Sequence, residues 1–276
     1  MDKGTIAGIV VSFGGITTGL LLEGGKVSQI LQPTAALIVA GGTVGAVLLQ
    51  YPLSTVSTAV RGLHSILFEP RSRARDEIDR LTKLAQKARR DGIISLDAEL
   101  SNIADPFMRR ALMLAVDGTE SSELRAIMQL ELDASAEAED ELPRVYESLG
   151  GFAPTIGIIG AVLGLIQVMQ HLDKIDEVGR GIAVAFVATI YGVGFANLVA
   201  LPIAGKLRHR LRFRQILREL TLEGVVSILE GINPRMLEAK LNGFLQQATE
   251  KSPPASDPEA QRRIKTRSVA ASRGAP

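Results

Sequence analysis

The polar side chains placed to meet an ion inside this sequence are hydroxyls and amides. Thr155, Thr189, Tyr191, Asn197 and Gln167 stand within long apolar stretches that contain no Asp, Glu, Lys, Arg or His. A threonine hydroxyl can donate to and accept from a water or an ion. It can equally bond a carbonyl three or four residues back in its own helix, so residue type leaves both roles open. Ion transport at depth normally needs ionisable groups, which are costly in lipid and mark pathways. A pathway built on this chain must take its titrating acid from elsewhere, which counts against a self-contained proton pump.

Outside those stretches the chemistry is charge. The strip Arg89-Arg90-Asp91-Gly92-Ile93-Ile94-Ser95-Leu96-Asp97-Ala98-Glu99 reads as a solvated helix-turn-helix, with Ser95 as a cap that begins the second helix. Two prolines bracket the second pair of apolar stretches. Pro154 sits where a first-turn proline costs no hydrogen bond, and Pro202 lies where it should remove one and kink the helix. No cysteine is present, which removes thiolate metal sites and Cys nucleophiles, and His64, His171 and His209 have no metal-ligand spacing. There is no phosphate-binding glycine loop, nucleophile elbow or zinc signature, so the expectation is a non-enzyme without cofactor or bound metal.

These residues must be held by elements whose character is set by composition. Of 276 residues, 46% are hydrophobic and 22% charged, and the two classes are segregated along the chain. Four windows supply the about 20 mostly apolar residues that cross a bilayer core: Thr5 to Leu22, Thr34 to Tyr51, Phe152 to Gln170 and Ile182 to Ala204. The first two are joined by the turn-rich link Glu23-Gly24-Gly25-Lys26 to Pro33. The last two are joined by a polar link with His171, Asp173, Lys174, Asp176, Glu177 and Arg180, so two helical hairpins are expected. The N-terminus lacks the basic region and cleavage site of a secretory signal and reads as a retained first span. Lys206, Arg208, Arg210, Arg212, Arg214 and Arg218 follow the fourth span, and Arg61, Arg71, Arg73 and Arg75 follow the second. Basic residues are retained on the cytoplasmic side, which places both termini and the middle segment there.

Small residues recur four apart within the spans, at Gly4 and Gly8, Gly15 and Gly19, Gly41 and Gly45, Gly160 and Gly164, and Ala188, Gly192 and Ala196. They permit close helix approach, within the chain or between copies. The middle segment carries Ile78, Leu81, Leu84 and Ala85 at helical spacing, with breaks at Arg90-Asp91-Gly92 and Asp105-Pro106. A later helix runs from Lys206 and stops before Asn233-Pro234. The expected class is an all-α integral membrane protein: four transmembrane helices in two hairpins plus a cytoplasmic helical domain. Its divisions are 1–52 (transmembrane helices 1 and 2), 53–150 (cytoplasmic helical domain), 151–205 (transmembrane helices 3 and 4), 206–250 (C-terminal cytoplasmic helix) and 251–276, a tail poor in large apolar residues and expected to be disordered. The net charge of +1 gives no reason to expect nucleic acid as a partner.

Four segments, in order, resemble the MotA and PomA stator proteins of the bacterial flagellar motor. They are Gly4-Thr5-Ile6-Ala7-Gly8; Arg89-x-x-Gly92-x-x-Ser95-Leu96-Asp97; Ala153-Pro154-Thr155-x-Gly157-x-x-Gly160-Ala161-x-x-Gly164-Leu165; and Ala188-Thr189-x-Tyr191-Gly192 followed by Ala196-Asn197 and Leu201-Pro202. The resemblance implies a homo-oligomer, a pentameric ring in the bacterial inner (cytoplasmic) membrane. The ring surrounds a MotB/PomB-type B subunit that brings the intramembrane Asp. Thr155, Thr189 and Tyr191 would then line the ion pathway with Ala161 and Ala188. Sodium-driven relatives have threonines at the two alanine positions, which favours H⁺ over Na⁺ as the translocated ion here. Pro154 and Pro202 match prolines that couple ion movement to conformational change. Arg89 and Asp97, flanked by Arg90 and Glu99, match the charged surface that meets the rotor switch protein FliG, with Asp97 one methylene shorter than the family's usual Glu. An ExbB or TolQ-type energy transducer shares the third and fourth spans, but the tight first hairpin and the Arg89 to Asp97 strip argue against it. A self-contained channel or transporter, or a purely structural scaffold, differ in flux: alone for the first, none for the second.

Overall fold

A computed structural model describes residues 3–68, 74–170, 172 and 175–250. The tail 251–276, Arg71 and Arg73, and the link residues His171, Asp173 and Lys174 lie outside the described residues. All regular structure among the described residues is helical. The chain forms two compact units, one from described residues within 1–70 and 139–210, the other from those within 71–138 and 211–276.

The first unit opens with α1 (Lys3–Leu22), a turn of 3-10 helix (Val27–Gln29), α2 (Pro33–Gln50) and α3 (Leu53–Phe68). Later in the chain come α7 (Ser121–Gln170), α8 (Ile175–Phe195), one π turn (Ala196–Ala200) and α9 (Leu201–Leu229), with α7 and α9 belonging partly to each unit. Four stretches are long and apolar enough to span a bilayer: Gly4–Leu22, Pro33–Gln50, and parts of α7 and of Val178–Leu229. The protein is thus an all-α membrane protein with four spans. Hydroxyls on α1 are satisfied as lipid demands, Ser12 donating to the Gly8 carbonyl at 2.6 Å and Thr17 to that of Phe13 at 2.7 Å.

The third span has no start of its own. Residues 121–150 are mostly polar and 152–170 apolar, yet one helix of 50 residues carries both. Pro154 is accordingly an interior proline and not a first-turn one, and it leaves the Gly150 carbonyl without an α-helical donor, a defect worth roughly 3 kcal/mol in an isolated helix. The helix after the fourth span likewise begins at Leu201, ahead of the Lys206 expected from charge. The stretch 206–250 is two helices, because α9 stops at Leu229, Gly231 (φ +74) turns the chain, and α10 (Pro234–Glu250) starts with the proline.

The second unit contains α4 (Ala74–Asp91), a 3-10 turn (Ile93–Leu96), the single turn α5 (Asp97–Leu100) and α6 (Pro106–Val116), with the described parts of α7, α9 and α10 that belong to it. Ile78, Leu81, Leu84 and Ala85 are buried, as their spacing requires, and join Met108, Leu112, Leu124, Met128, Leu220 and Leu237 in one core. Asp105 caps α6 by accepting from the Phe107 N–H at 3.0 Å. Glu223, on α9, accepts from Arg125 of α7 at 2.8 Å and Lys240 of α10 at 2.5 Å. Burial alone would raise its pKa, but these two cations and their hydrogen bonds hold it below the usual carboxylate range.

Glu77 on α4 behaves oppositely. Burial pushes its pKa up, Arg80 pulls it down, Asp105 adds to the rise, and the Thr221 hydroxyl donates to it at 3.3 Å. A folded-state pKa above the unfolded one stabilises the fold at low pH, and that contribution is lost as pH rises through the raised value. Glu77→Gln is therefore expected to slow amide hydrogen exchange in α4 and α9 of the full chain at neutral pH. The gain over the parent should vanish as the solution is acidified and Glu77 itself becomes neutral.

Candidate functional site

The third and fourth spans meet along a seam of small residues. A Cβ added to Gly157 would lie 2.9 Å from the Ala188 carbonyl oxygen; on Gly160 it would lie 2.9 Å from Ala188 Cβ, and on Gly164 3.0 Å from the Ala185 backbone nitrogen. One on Gly192 would overlap the Ala153 carbonyl. The backbones touch, so only glycine serves at Gly157 and Gly192. The span glycines thus fall into two sets, because Gly8, Gly15, Gly19, Gly41 and Gly45 meet nothing within 4 Å. The second span packs along the same seam and touches both helices: Ala35 and Val39 cluster with Val187 and Ala188 of α8, and a Cβ on Gly42 would lie 2.7 Å from Ile156 Cγ2 of α7.

This packing sorts the residues expected in a pathway. Ala188 is fully buried in the seam, beside Gly160, and Ala161 is half-buried on α7. Thr155 is exposed and Thr189 partly so. Both hydroxyl hydrogens are engaged by their own helices, Thr155 donating to the Phe152 carbonyl at 2.8 Å and Thr189 to that of Ala185 at 3.4 Å. Each oxygen presents lone pairs; the Thr155 proton is held firmly by its helix, while the longer Thr189 contact holds its proton weakly. Tyr191 is tied to the link between the first two spans: its hydroxyl donates to the Ile30 carbonyl at 2.6 Å and accepts from the Gln32 N–H at 3.2 Å. That geometry fixes α8 against the start of α2.

The two prolines share a neighbourhood. Gly150, whose carbonyl Pro154 cannot satisfy, lies against Leu201, the residue before Pro202; a Cβ on it would be 2.6 Å from Leu201 Cδ2. Pro202 follows directly on the π turn, in which the Leu201 N–H reaches back five residues to the Ala196 carbonyl. A widened turn ahead of a proline relieves the ring's clash with the preceding turn.

In the charged strip Gly92 takes φ +84 and ψ 160, a conformation open essentially to glycine alone, and it turns the chain from α4 into the 3-10 turn. Ser95 does not cap a helix. It lies inside that turn and its hydroxyl donates to the Gly92 carbonyl at 2.6 Å, while α5 begins after Leu96 without a side-chain cap. The four charges separate into two kinds. Arg90 forms a two-pronged pair with Asp91 at 2.8 Å, and Glu99 accepts from Lys87 at 2.5 Å, which lowers the Glu99 pKa through that hydrogen bond and charge. Arg89 and Asp97 are exposed, and among the described residues neither has a salt bridge or a side-chain hydrogen bond.

Two features had no counterpart in the sequence expectations. Thr43 of α2 is 2% exposed and its hydroxyl has no partner among the described residues. The π turn is the other, and only Pro202 hinted at it.

Residues 6–92 match the family model described as "Motility protein A N-terminal", and residues 99–219 match that of the "MotA/TolQ/ExbB proton channel family". Motility protein A of Bacillus subtilis is 35% identical over 247 residues, covering 89% of this chain and 91% of that protein. The solved structure of C. jejuni MotAB is similar with a TM-score of 0.84 and 29% identity, covering 94% of this chain and 98% of that one. The flagellar MotAB stator complex from Bacillus subtilis is similar with a TM-score of 0.81 and 33% identity, covering 96% and 99%.

Proposed function

The chain belongs to the motility protein A family, the A-type stator subunits of the flagellar motor, and from that membership we propose how its parts divide the work. Several copies, five in a ring, surround a B-type partner in the bacterial inner membrane. The partner supplies an intramembrane Asp, and the flow of ions past it is converted into torque on the rotor. The observation that carries this reading is that none of the four apolar windows holds an ionisable side chain, while the similar solved structures are complexes of A with B subunits. Membership is with motility protein A rather than with ExbB-type transducers, since the N-terminal match extends over both early spans and up to Gly92.

Thr155 and Thr189 line the partner's acid and offer it lone pairs. The translocated ion is H⁺: with Ala188 buried against Gly160 and alanine at position 161, the chain adds no further oxygens there for a sodium shell, whereas a proton needs an acceptor and a water path. Pro154 and Pro202 let the third and fourth spans bend as the acid changes charge. The strip at Gly92 faces the cytoplasm with both termini, and Arg89 and Asp97 meet the rotor switch protein, while the Arg90 and Glu99 pairs hold the strip in shape. No chemical step on a substrate is involved. Expressed in a motile bacterium deleted for its own stator, this chain is expected to restore swimming only when its B-type partner is supplied with it. Swimming with the chain alone would sink the reading.

A further inference from the structure

We propose that Ile94 is the apolar anchor by which this chain grips the rotor switch protein, a role that rests on the reading of the charged strip above. Ile94 is 73% exposed, whereas Ile93 beside it packs against the core and Leu96 is fully buried. The 3-10 turn explains the sorting. Side chains three apart in such a turn lie one above the other, so Ile93 and Leu96 share the inner side and Ile94 and Asp97 the outer one. The Asp97 N–H donates to the Ile94 carbonyl, which sets these two residues in register. Ahead of them the Gly92 carbonyl accepts from the Ser95 N–H at 3.1 Å and from the Ser95 hydroxyl at 2.6 Å. Lys87 of α4 and Glu99 of α5 pair across the turn. Ile94 is thus held outward by backbone geometry, beside the charge expected to meet the rotor.

A lone exposed isoleucine needs no explanation by itself; its setting does. Arg89, Arg90, Asp91, Asp97 and Glu99 all lie within five residues of it, and so dense a set of charges is too costly to seat in bilayer hydrocarbon. A permanent interface between copies is built from broad apolar surface. One isoleucine beside Arg89 and Asp97, which have no salt bridge among the described residues, does not supply that. An apolar centre inside a charged rim is instead the make-up of a contact that forms and breaks, as a stator acting on a moving rotor requires. The charges steer the approach and the desolvated side chain gives the grip. The surface that fits is an apolar pocket on the rotor switch protein, bordered by a carboxylate facing Arg89 and a cation facing Asp97.

The test is swimming of a motile bacterium deleted for its own stator and supplied with this chain and its B-type partner. Ile94→Ser is expected to weaken the contact about ten-fold or more, the scale of losing one buried isoleucine. That is read as lost swimming with filaments assembled, while the yield of complex and its partner-dependent proton flux in liposomes stay parental. Ile94→Leu, which keeps the apolar volume, should retain swimming. The sequence holds no cysteine, so Ile94→Cys puts a single thiol on each copy, and in the purified complex it should react with a maleimide as fully as in the denatured chain. Protection of that thiol would show another copy covering the position and would overturn the anchor. Parental swimming of Ile94→Ser beside lost swimming of Arg89→Glu and Asp97→Lys would overturn the anchor alone. Parental swimming of all three would overturn the rotor reading of the strip itself.

Discussion

Gly192→Ala is expected to prevent the third and fourth spans from closing on each other. The added methyl overlaps the Ala153 carbonyl and lies 3.2 Å from the Gly157 Cα, so the obstacle is backbone on both counts and no rotamer change relieves it. Overpacking a well-filled core costs roughly 1–3 kcal/mol where side chains can move, and here the helices themselves must part. In a bilayer their association rests on close packing and interhelical contact, because lipid chains are as apolar as the side chains they replace. The measurement is the yield of folded complex from membranes and its thermal midpoint, with a large loss of both expected. Gly8→Ala and Gly41→Ala form the contrast, since the new methyl meets nothing in the same chain. They should leave the fold intact and affect, if anything, assembly between copies. A Gly192→Ala complex of parental yield and stability would show that the seam is not as tight as described.

Charge reversal in the strip has the largest expected effect on motility itself. Arg89→Glu or Asp97→Lys should each abolish swimming while filaments still assemble, because both side chains are exposed and have no bonding partner among the described residues. Charges at such a surface orient and steer association, and reversal turns attraction into repulsion. The matching reversal on the rotor switch protein should restore swimming to Arg89→Glu. Arg90→Glu should not be rescued in this way, since its damage begins inside the chain with loss of the pair to Asp91. Normal swimming in both single reversals would remove the strip as the rotor contact.

Much of this architecture was legible because lipid imposes a simple rule on sequence. The first two apolar windows emerge as helices within two residues of their expected ends, bounded by the turn at Gly24 and by Pro33, whereas α8 starts at Ile175, seven residues ahead of the expected Ile182, and takes Asp176, Glu177 and Arg180 of the expected link into the helix. Where no such signal exists, composition misled. The change from polar to apolar near residue 151 marks a change of surroundings and not a helix end, so α7 runs through it and Pro154 becomes an interior residue. Local rules also failed at Ser95, whose hydroxyl took the Gly92 carbonyl once glycine had turned the chain. The small residues announced close packing but not its partner. Which glycines face the same chain depends on the angle at which α8 crosses α7, and that is fixed by contacts far apart in sequence. Tyr191 illustrates the same limit, its hydroxyl bound about 160 residues away at Ile30 and Gln32.

The division of labour between this chain and a partner's acid is tested most directly by proton flux in liposomes containing the chain alone, its B-type partner alone, and the two together. Flux is expected only from the two together, and it should disappear when the partner's intramembrane Asp is replaced by Asn. Steady flux from this chain by itself would contradict the central claim, for it would mean that spans without an ionisable group conduct unaided.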